Sequence, residues 1–158
     1  MATFKTFEEI EAWKKARELT KRVYRASGKG SFARDFGLRD QIRRASVSIM
    51  SNIAEGHDRS GTGEFIQFLA VATGSASEVR SQLYVAVDQN YIGATDFDQL
   101  SELVAETGRM IGGLMKYLAA SGYRGLTVQV QNKSEALTNV KPRTRNSELG
   151  TRNLKLGT

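Results

Sequence analysis

The sequence predicts an all-α fold, an antiparallel four-helix bundle. Apolar residues recur at helical spacing along four long segments, which are joined by short links that contain Gly or Ser. The single proline, Pro142, lies near the C-terminus, so no earlier helix loses a backbone donor to it. A chain of 158 residues suits one domain. We therefore expect a four-helix bundle domain at residues 1–125 and a basic, disordered tail at residues 126–158, where polar residues follow no sustained period.

The first helix is predicted to begin at Thr6, because Thr6 and Glu9 match a capping box, and to end near Ala26. At about 100° per residue, one face is apolar and the opposite face is cationic. The apolar face comprises Ala12, Ala16, Leu19 and Val23, and the cationic face comprises Lys14, Arg17, Lys21 and Arg25. Phe7 and Ile10 fall on the cationic side, so they need a loop or a neighbouring subunit to cover them.

The second helix is predicted at residues 38–55, with Gly56 as its C-terminal stop. The link before it is expected to fold Phe32 and Phe36 back onto the bundle. Two sides of this helix are apolar. The core stripe comprises Leu38, Ile42, Ala45, Ile49 and Ile53, and a second stripe roughly opposite comprises Val47, Met50 and Ala54.

The third helix, from Thr62 or Gly63 to about Asn90, is also apolar on two sides. Its core stripe comprises Phe65, Leu69, Ala72, Ala76, Val79, Leu83 and Val87, and its second stripe comprises Val71, Gly74 and Val85. The fourth helix is predicted from Asp96 to about Ala120 and is apolar on one side only. Asp96 and Gln99 form an approximate capping box at its start.

A helix that is apolar on two sides is buried on two sides. In a bundle of four helices, the spare surface favours contact with another copy of the chain. The predicted oligomer interface comprises Val47, Met50, Ala54, Val71 and Val85. The alternative is that the link containing Phe32 and Phe36 covers this surface. Gly74 costs about 1 kcal/mol against Ala inside a helix, so it predicts a close contact at its position.

Composition excludes several classes of protein. The chain has no Cys, which excludes disulfides, thiolate metal sites and a cysteine nucleophile. The N-terminus lacks the layout of a signal peptide, and no apolar run reaches the about 18–20 residues of a membrane span. We therefore expect no membrane association and a cytoplasmic location.

The net charge of +6 is placed unevenly. Residues 1–125 hold 17 Lys and Arg against 15 Asp and Glu, and residues 126–158 hold 6 against 2, so the tail carries +4 of the excess. A basic balance favours polyanionic partners such as nucleic acid. A tail that only aids solubility fits the same charge.

Signals for catalysis or for a metal are weak. His57 is the single histidine, whereas a di-iron bundle needs Glu-x-x-His on two helices. A helix-end turn in which Asp58 and Arg59 cap or pair nearby groups is favoured instead. The stretch SGKGS at 27–31 does not match the phosphate-binding loop pattern. We expect no enzyme activity, no metal and no cofactor.

One pair of charged residues stands among small and apolar neighbours. Arg44 on the second helix and Glu78 on the third predict an interhelical ion pair, because a buried charge is costly unless it is matched. Placement of both residues on the surface is the alternative.

Several stretches together point to a known family. They are Phe7, Trp13 and Ala16, the string QIRRASVSIMSNIAEGHDR at 41–59, EFIQFLAVATGSASE at 64–78 and QNYI at 89–92. Over about residues 4–120 the chain resembles the four-helix bundle proteins encoded in intervening sequences of bacterial 23S ribosomal RNA genes. The resemblance implies a homopentamer, and kinship with retroelement accessory proteins that bind nucleic acid and a reverse transcriptase. The basic tail is not part of the family pattern.

These observations favour a non-catalytic homo-oligomer, expected to be a pentamer, that binds RNA or another nucleic acid. The candidate binding residues are Lys14, Arg17, Lys21 and Arg25 on the first helix and Lys133, Lys141, Arg143, Arg145, Arg152 and Lys155 in the tail. Glu11 and Glu18 lie beside the helical cations and, in the competing interpretation, neutralise them. The alternative function is a protein-interaction scaffold, for example a reverse-transcriptase partner, in which the basic residues serve solubility.

Overall fold

The computed structural model describes residues 4–59 and 61–122, and this part of the chain is an all-α four-helix bundle. The helices are α1 (Glu11–Ser27), α2 (Phe36–Asp58), α3 (Thr62–Asp88) and α4 (Ala94–Ser121). α1 packs against α2 and α4, and α3 packs against the same two helices from the other side. The predicted tail at 126–158 lies outside the described residues.

The core follows the predicted stripes. Each helix contributes the apolar face that its spacing indicates, because residues three or four apart lie on one side of a helix. The predicted core residues of α1 and α3 are buried except for the partly buried Val87, and on α2 only Leu38 is partly exposed. None of the helices in the described residues combines the length and the apolar character that a membrane span requires.

The chain enters α1 differently from the prediction. A 3-10 turn at Phe7–Glu9 comes first, Ile10 is extended, and the α-helix begins at Glu11. The predicted capping box is wrong, because Thr6 makes no side-chain cap and Glu9 accepts a hydrogen bond from the backbone N–H of Lys5 at 2.9 Å. The break brings Ile10 into the core at 1% exposure, and Phe7 packs edge-on against Trp13. The N-terminal turn therefore covers Phe7 and Ile10 within one chain, so no neighbouring subunit is needed for them.

The link between α1 and α2 is held to the link between α3 and α4 by the side chain of Asp35. Asp35 caps α2, because its Oδ1 accepts a hydrogen bond from the N–H of Leu38 at 3.0 Å. Its Oδ2 accepts a second bond from the hydroxyl group of Tyr91, at 3.1 Å, in the link between α3 and α4. The Tyr91 ring also stacks on buried Phe32 at 5.4 Å. The expectation for Phe36 is wrong, because Phe36 is 64% exposed and lies under the guanidinium group of Arg39.

Gly56 does not end α2. The helix continues through Gly56 to Asp58, and a Cβ atom at Gly56 would lie 2.7 Å from Cδ2 of Phe65 and 2.8 Å from Cβ of Phe68. Real Cβ atoms do not approach other heavy atoms so closely. The glycine therefore allows α2 and α3 to touch beside their connection, which is a packing role and not a capping role.

The start of α4 also differs from the prediction. The helix begins at Ala94 after the N-cap residue Gly93, and no side chain caps it. Asp96 lies within the first turn, where a carboxylate is favoured by the helix dipole. The predicted box of Asp96 with Gln99 is wrong, because it places the N-cap at Asp96, three residues after the observed N-cap Gly93. Gly122 ends α4 in the left-handed conformation at φ 59°, as glycine does most readily.

Candidate nucleic-acid interface

All four cations predicted on the first helix are exposed on the outer face of α1. They follow each other over about three turns because their spacing of three or four residues keeps them on one side of the helix. We call these residues the α1 cation stripe: Lys14, Arg17, Lys21 and Arg25. The six candidate residues of the tail lie outside the described residues.

Neighbouring glutamates neutralise only one end of the α1 cation stripe. Lys14 pairs with Glu11 at 2.6 Å. Glu18 instead pairs with Arg22 at 3.0 Å and with Lys15 at 3.4 Å, both outside the stripe. Within the described part of the chain, no carboxylate pairs with Arg17, Lys21 or Arg25. Three of the four charges therefore remain available to an anionic ligand.

Lys15 belongs to the structure of the bundle and not to this surface. Its ammonium group lies 3.3 Å from Glu106 of α4, which fixes α1 against α4. The hydrogen bond to Glu106 raises the pKa of Lys15, partial desolvation opposes this effect, and Glu18 adds to it. This lysine accordingly stays charged at neutral pH and is already paired.

Charge is divided between the two halves of the bundle. Residues 4–59, which form α1 and α2, hold 13 Lys and Arg against 8 Asp and Glu, a net charge of +5. Residues 61–122, which form α3 and α4, hold 3 against 7, a net charge of −4. A polyanion would thus be attracted to one side of the bundle and repelled by the other. The small net charge of residues 1–125 conceals this division.

Arginine side chains cover exposed aromatic rings at the end of α1 and the start of α2, a feature that the sequence did not reveal. Arg43 of α2 lies over Tyr24 of α1 at 4.6 Å, and its Nε donates a hydrogen bond to Ser27 at 2.8 Å. Arg39 lies over Phe36 at 4.7 Å. Tyr24 and Phe36 remain 45% and 64% exposed. Unpaired nucleic-acid bases stack on aromatic rings and guanidinium planes of this kind.

The predicted oligomer interface is open in the single chain. Val47, Val71 and Val85 are 38%, 54% and 44% exposed, and Met50 and Ala54 are partly buried. The link between α1 and α2 does not cover these residues, since Phe32 stacks on Tyr91 and Phe36 faces solvent. The alternative of a covering link is therefore wrong, while contact with a second copy stays a prediction.

Small residues of α2 and α3 meet where the two helices pack together. The hydroxyl groups of Ser48 and Ser75 lie 2.9 Å apart across the two helices. Val71 and Val85 line shallow pockets between α2 and α3. Ser48 lines one of these pockets, and Val47 lies about 100° around the helix from Ser48 and lines neither. Gly74 does not make the close contact that was predicted, because a Cβ atom there would have no neighbour within 4 Å. Its cost to the helix is not explained within one chain.

The predicted ion pair between Arg44 and Glu78 is not formed within one chain. Both residues are exposed and line the same shallow pocket between α2 and α3, and none of the ion pairs among the described residues joins them. Because both side chains are exposed, their charged groups remain hydrated, and no ion pair is needed to offset a burial cost. In the same groove, Oε1 of Gln82 is buried without a hydrogen-bond partner.

His57 connects the N-terminal segment to the end of α2. The ring is 1% exposed, its Nε2 lies 3.1 Å from the carbonyl oxygen of Phe4, and its Nδ1 lies 3.2 Å from Oδ1 of Asp58. A carbonyl oxygen only accepts, so Nε2 carries the proton in this contact. Arg59 pairs with Glu55. Residues 4–59 and 61–122 contain no cluster of three or more potential metal ligands.

Comparison with known proteins identifies the family. Residues 8–113 match the model of the 23S rRNA-intervening sequence protein family. The chain belongs to this family. The match covers α1, α2, α3 and most of α4, and it confirms the resemblance seen in the sequence.

A solved structure supports the same fold. A protein of unknown function from the S23 ribosomal protein family of Bacteroides thetaiotaomicron superposes with a TM-score of 0.61 at 22% sequence identity. The similarity covers 66% of this chain and 98% of the other. At this identity the likeness concerns the fold alone. No curated protein matches the chain.

Proposed function

We propose that this member of the 23S rRNA-intervening sequence protein family is a non-catalytic RNA-binding protein that acts as a homo-oligomer, with five copies as the expected number. The observation that carries the proposal is the one-sided charge of the bundle, +5 on the α1 and α2 half against −4 on the other. The unpaired cations of the α1 cation stripe lie on the positive half.

Self-association would strengthen a weak individual site. An oligomer repeats the α1 cation stripe, and a single RNA strand that touches several copies gains affinity through effective concentration. The open surface of Val47, Val71 and Val85 supports such contact, as does Gly74, whose missing side chain leaves room for another backbone. The surface and the stripe involve different residues, so we expect assembly and RNA binding to be compatible.

Titration of the full chain with a fluorescent single-stranded RNA tests the proposal. The variant with alanine at Lys14, Arg17, Lys21 and Arg25 should lose most of the binding, whereas alanine at Arg80, Arg109 and Lys116, on the acidic half, should leave it nearly unchanged. Equal losses in the two variants, or no binding by the unmodified protein even at low salt, would refute RNA binding through this face.

A second function has specific support. The exposed valines on α2 and α3 offer an apolar surface to a different protein as well as to another copy. We keep as the alternative a protein-interaction scaffold, for example a partner of a reverse transcriptase, in which the cations only maintain solubility. Absence of copurifying RNA, together with a stable complex with another protein in place of self-association, would favour it.

A further inference from the structure

A surface cavity of about 360 Å³ lies where the end of α1 meets the start of α4. This volume is at the lower end of the range of roughly 300–1,000 Å³ for small-molecule sites. Arg22, Arg25 and Lys29 line it from α1 and the link that follows, and Asp96 and Gln99 line it from α4. Arg25 is also the last residue of the α1 cation stripe, so the cavity is continuous with the proposed RNA surface.

The charges of the cavity favour an anion. Arg22 is paired with Glu18 at 3.0 Å, but neither Arg25 nor Lys29 has an ion-pair partner within the described part of the chain. Asp96 is the acidic residue in the lining, and it pairs with none of these cations. Two unpaired cations at a concave surface attract phosphate more strongly than the same cations on a convex face, because low-dielectric walls focus the field.

The remaining lining suits the other parts of a nucleotide. Tyr91 presents a ring that is fixed by its stacking on Phe32 and by its hydrogen bond to Asp35. A base has a π-face that stacks on such a ring. Asp96 accepts hydrogen bonds, as from a ribose hydroxyl group, and the Gln99 amide both donates and accepts. The arrangement places cations, an aromatic ring and polar acceptors around one space.

We propose that this cavity binds one ribonucleotide unit, with its phosphate group at Arg25 and Lys29 and its base or sugar towards Tyr91, Asp96 and Gln99. The assignment to RNA rests on the proposed function: if the protein binds RNA, the unit is part of the bound strand. A free mononucleotide has the same chemistry and is the other source. The α1 cation stripe then guides the strand, and the cavity anchors it at one end.

A pair of charge reversals tests the anchor. Lys29→Glu changes the cavity, whereas Arg34→Glu makes the same charge change five residues later, at an exposed arginine that does not line it. Both positions are exposed, so circular dichroism should show both variants folded. With a short fluorescein-labelled oligouridylate at fixed salt, Lys29→Glu should weaken binding by about tenfold more than Arg34→Glu, as expected for loss of a charge-assisted contact. Equal weakening would overturn the anchor.

The same full-length protein titrated with uridine monophosphate identifies the source and separates the two proposals. NMR shifts confined to Ile92, Gln99 and their neighbours, absent in Lys29→Glu, support the cavity whether or not RNA binds. If oligouridylate fails to bind at low salt while the mononucleotide still causes these shifts, RNA binding is refuted and the ligand is a free nucleotide. If neither ligand shifts the cavity resonances, the inference is overturned even where the stripe still binds RNA.

Discussion

At the scale of single residues, the Asp35 carboxylate connects the link before α2 to the link before α4. One oxygen caps α2 and the other accepts the Tyr91 hydroxyl group, so a single side chain fixes both links at this end of the bundle. The hydrogen bond to Asp35 is the main cause that raises the pKa of Tyr91, and desolvation and the charge of Asp35 raise it further.

This contact predicts an alkaline signature for Tyr91→Phe. Because the folded-state pKa is above the unfolded value of about 10, the bond contributes its full stability below that value and loses it as pH rises through the folded pKa. Wild type should therefore be more stable than Tyr91→Phe near neutral pH, and the difference should shrink in strong alkali. Urea unfolding from neutral to alkaline pH measures this difference.

Tyr84→Phe serves as the control for Tyr91→Phe. Tyr84 is 51% exposed, and its hydroxyl group makes no hydrogen bond within the described residues. Its removal should change the urea midpoint little at any of these pH values. A difference in unfolding free energy between wild type and Tyr91→Phe that stayed constant through the alkaline range would contradict the role assigned to this hydrogen bond.

At the scale of helical elements, Gly56 decides how closely α2 and α3 approach. Alanine would gain up to about 1 kcal/mol in helix propensity, but its Cβ atom would clash with Phe65 and with the Cβ atom of Phe68. Overpacking of this kind costs about 1–3 kcal/mol. Because the Phe68 Cβ atom moves only with its backbone, we expect Gly56→Ala to be destabilising overall, by about 1–2 kcal/mol, in chemical denaturation.

Gly113→Ala provides the matched control for Gly56→Ala. Gly113 lies inside α4, is exposed, and has open space where a Cβ atom would stand. Alanine there should stabilise the protein by about 0.5–1 kcal/mol. Opposite signs for the two substitutions are the expected result, and a stabilising Gly56→Ala would show that the two helices move apart without cost.

The helices and their inner faces could be predicted because they depend on local periodicity. Ile42, Ile49 and Leu69 are buried since burial follows the 3.6-residue repeat. The helix ends were harder, because a glycine such as Gly56 looks the same in sequence whether it ends a helix or permits a close contact. The pairing of Arg43 with Tyr24 and the cavity at Lys29 depend on which helices are neighbours, which periodicity does not specify.

At the scale of the whole molecule, we propose that the outer surface of α2 and α3 determines the oligomeric state. Val71→Glu places a carboxylate on a side chain that is 54% exposed in one chain, so the single subunit should tolerate it. In an oligomer the same charge is buried without a partner, which is costly. Light scattering at micromolar concentration should show an oligomer for the unmodified chain and smaller species for Val71→Glu.

Ala119→Glu introduces the same charge at an exposed alanine near the end of α4 and should leave the oligomer intact. Comparison of these two variants separates a local effect at the predicted interface from a general effect of added charge. A monomeric unmodified chain would contradict self-association. An unchanged oligomer in Val71→Glu would place the contact elsewhere.

The division of basic residues between the α1 cation stripe and the tail predicts how the proposed RNA affinity depends on salt concentration. Each phosphate contact releases condensed counterions, so the logarithm of affinity falls with the logarithm of salt concentration by about 0.7 per contact on single strands. Truncation after Gly125 removes +4 of the +6 charge but leaves the α1 cation stripe, so we expect a shallower slope with binding retained at low salt. Alanine substitution of the stripe in the truncated chain should then abolish most of the remaining affinity. Fluorescence anisotropy from low to physiological salt distinguishes the contributions, because contacts made by the tail would change the slope, whereas an unchanged slope would leave all phosphate contacts on the bundle.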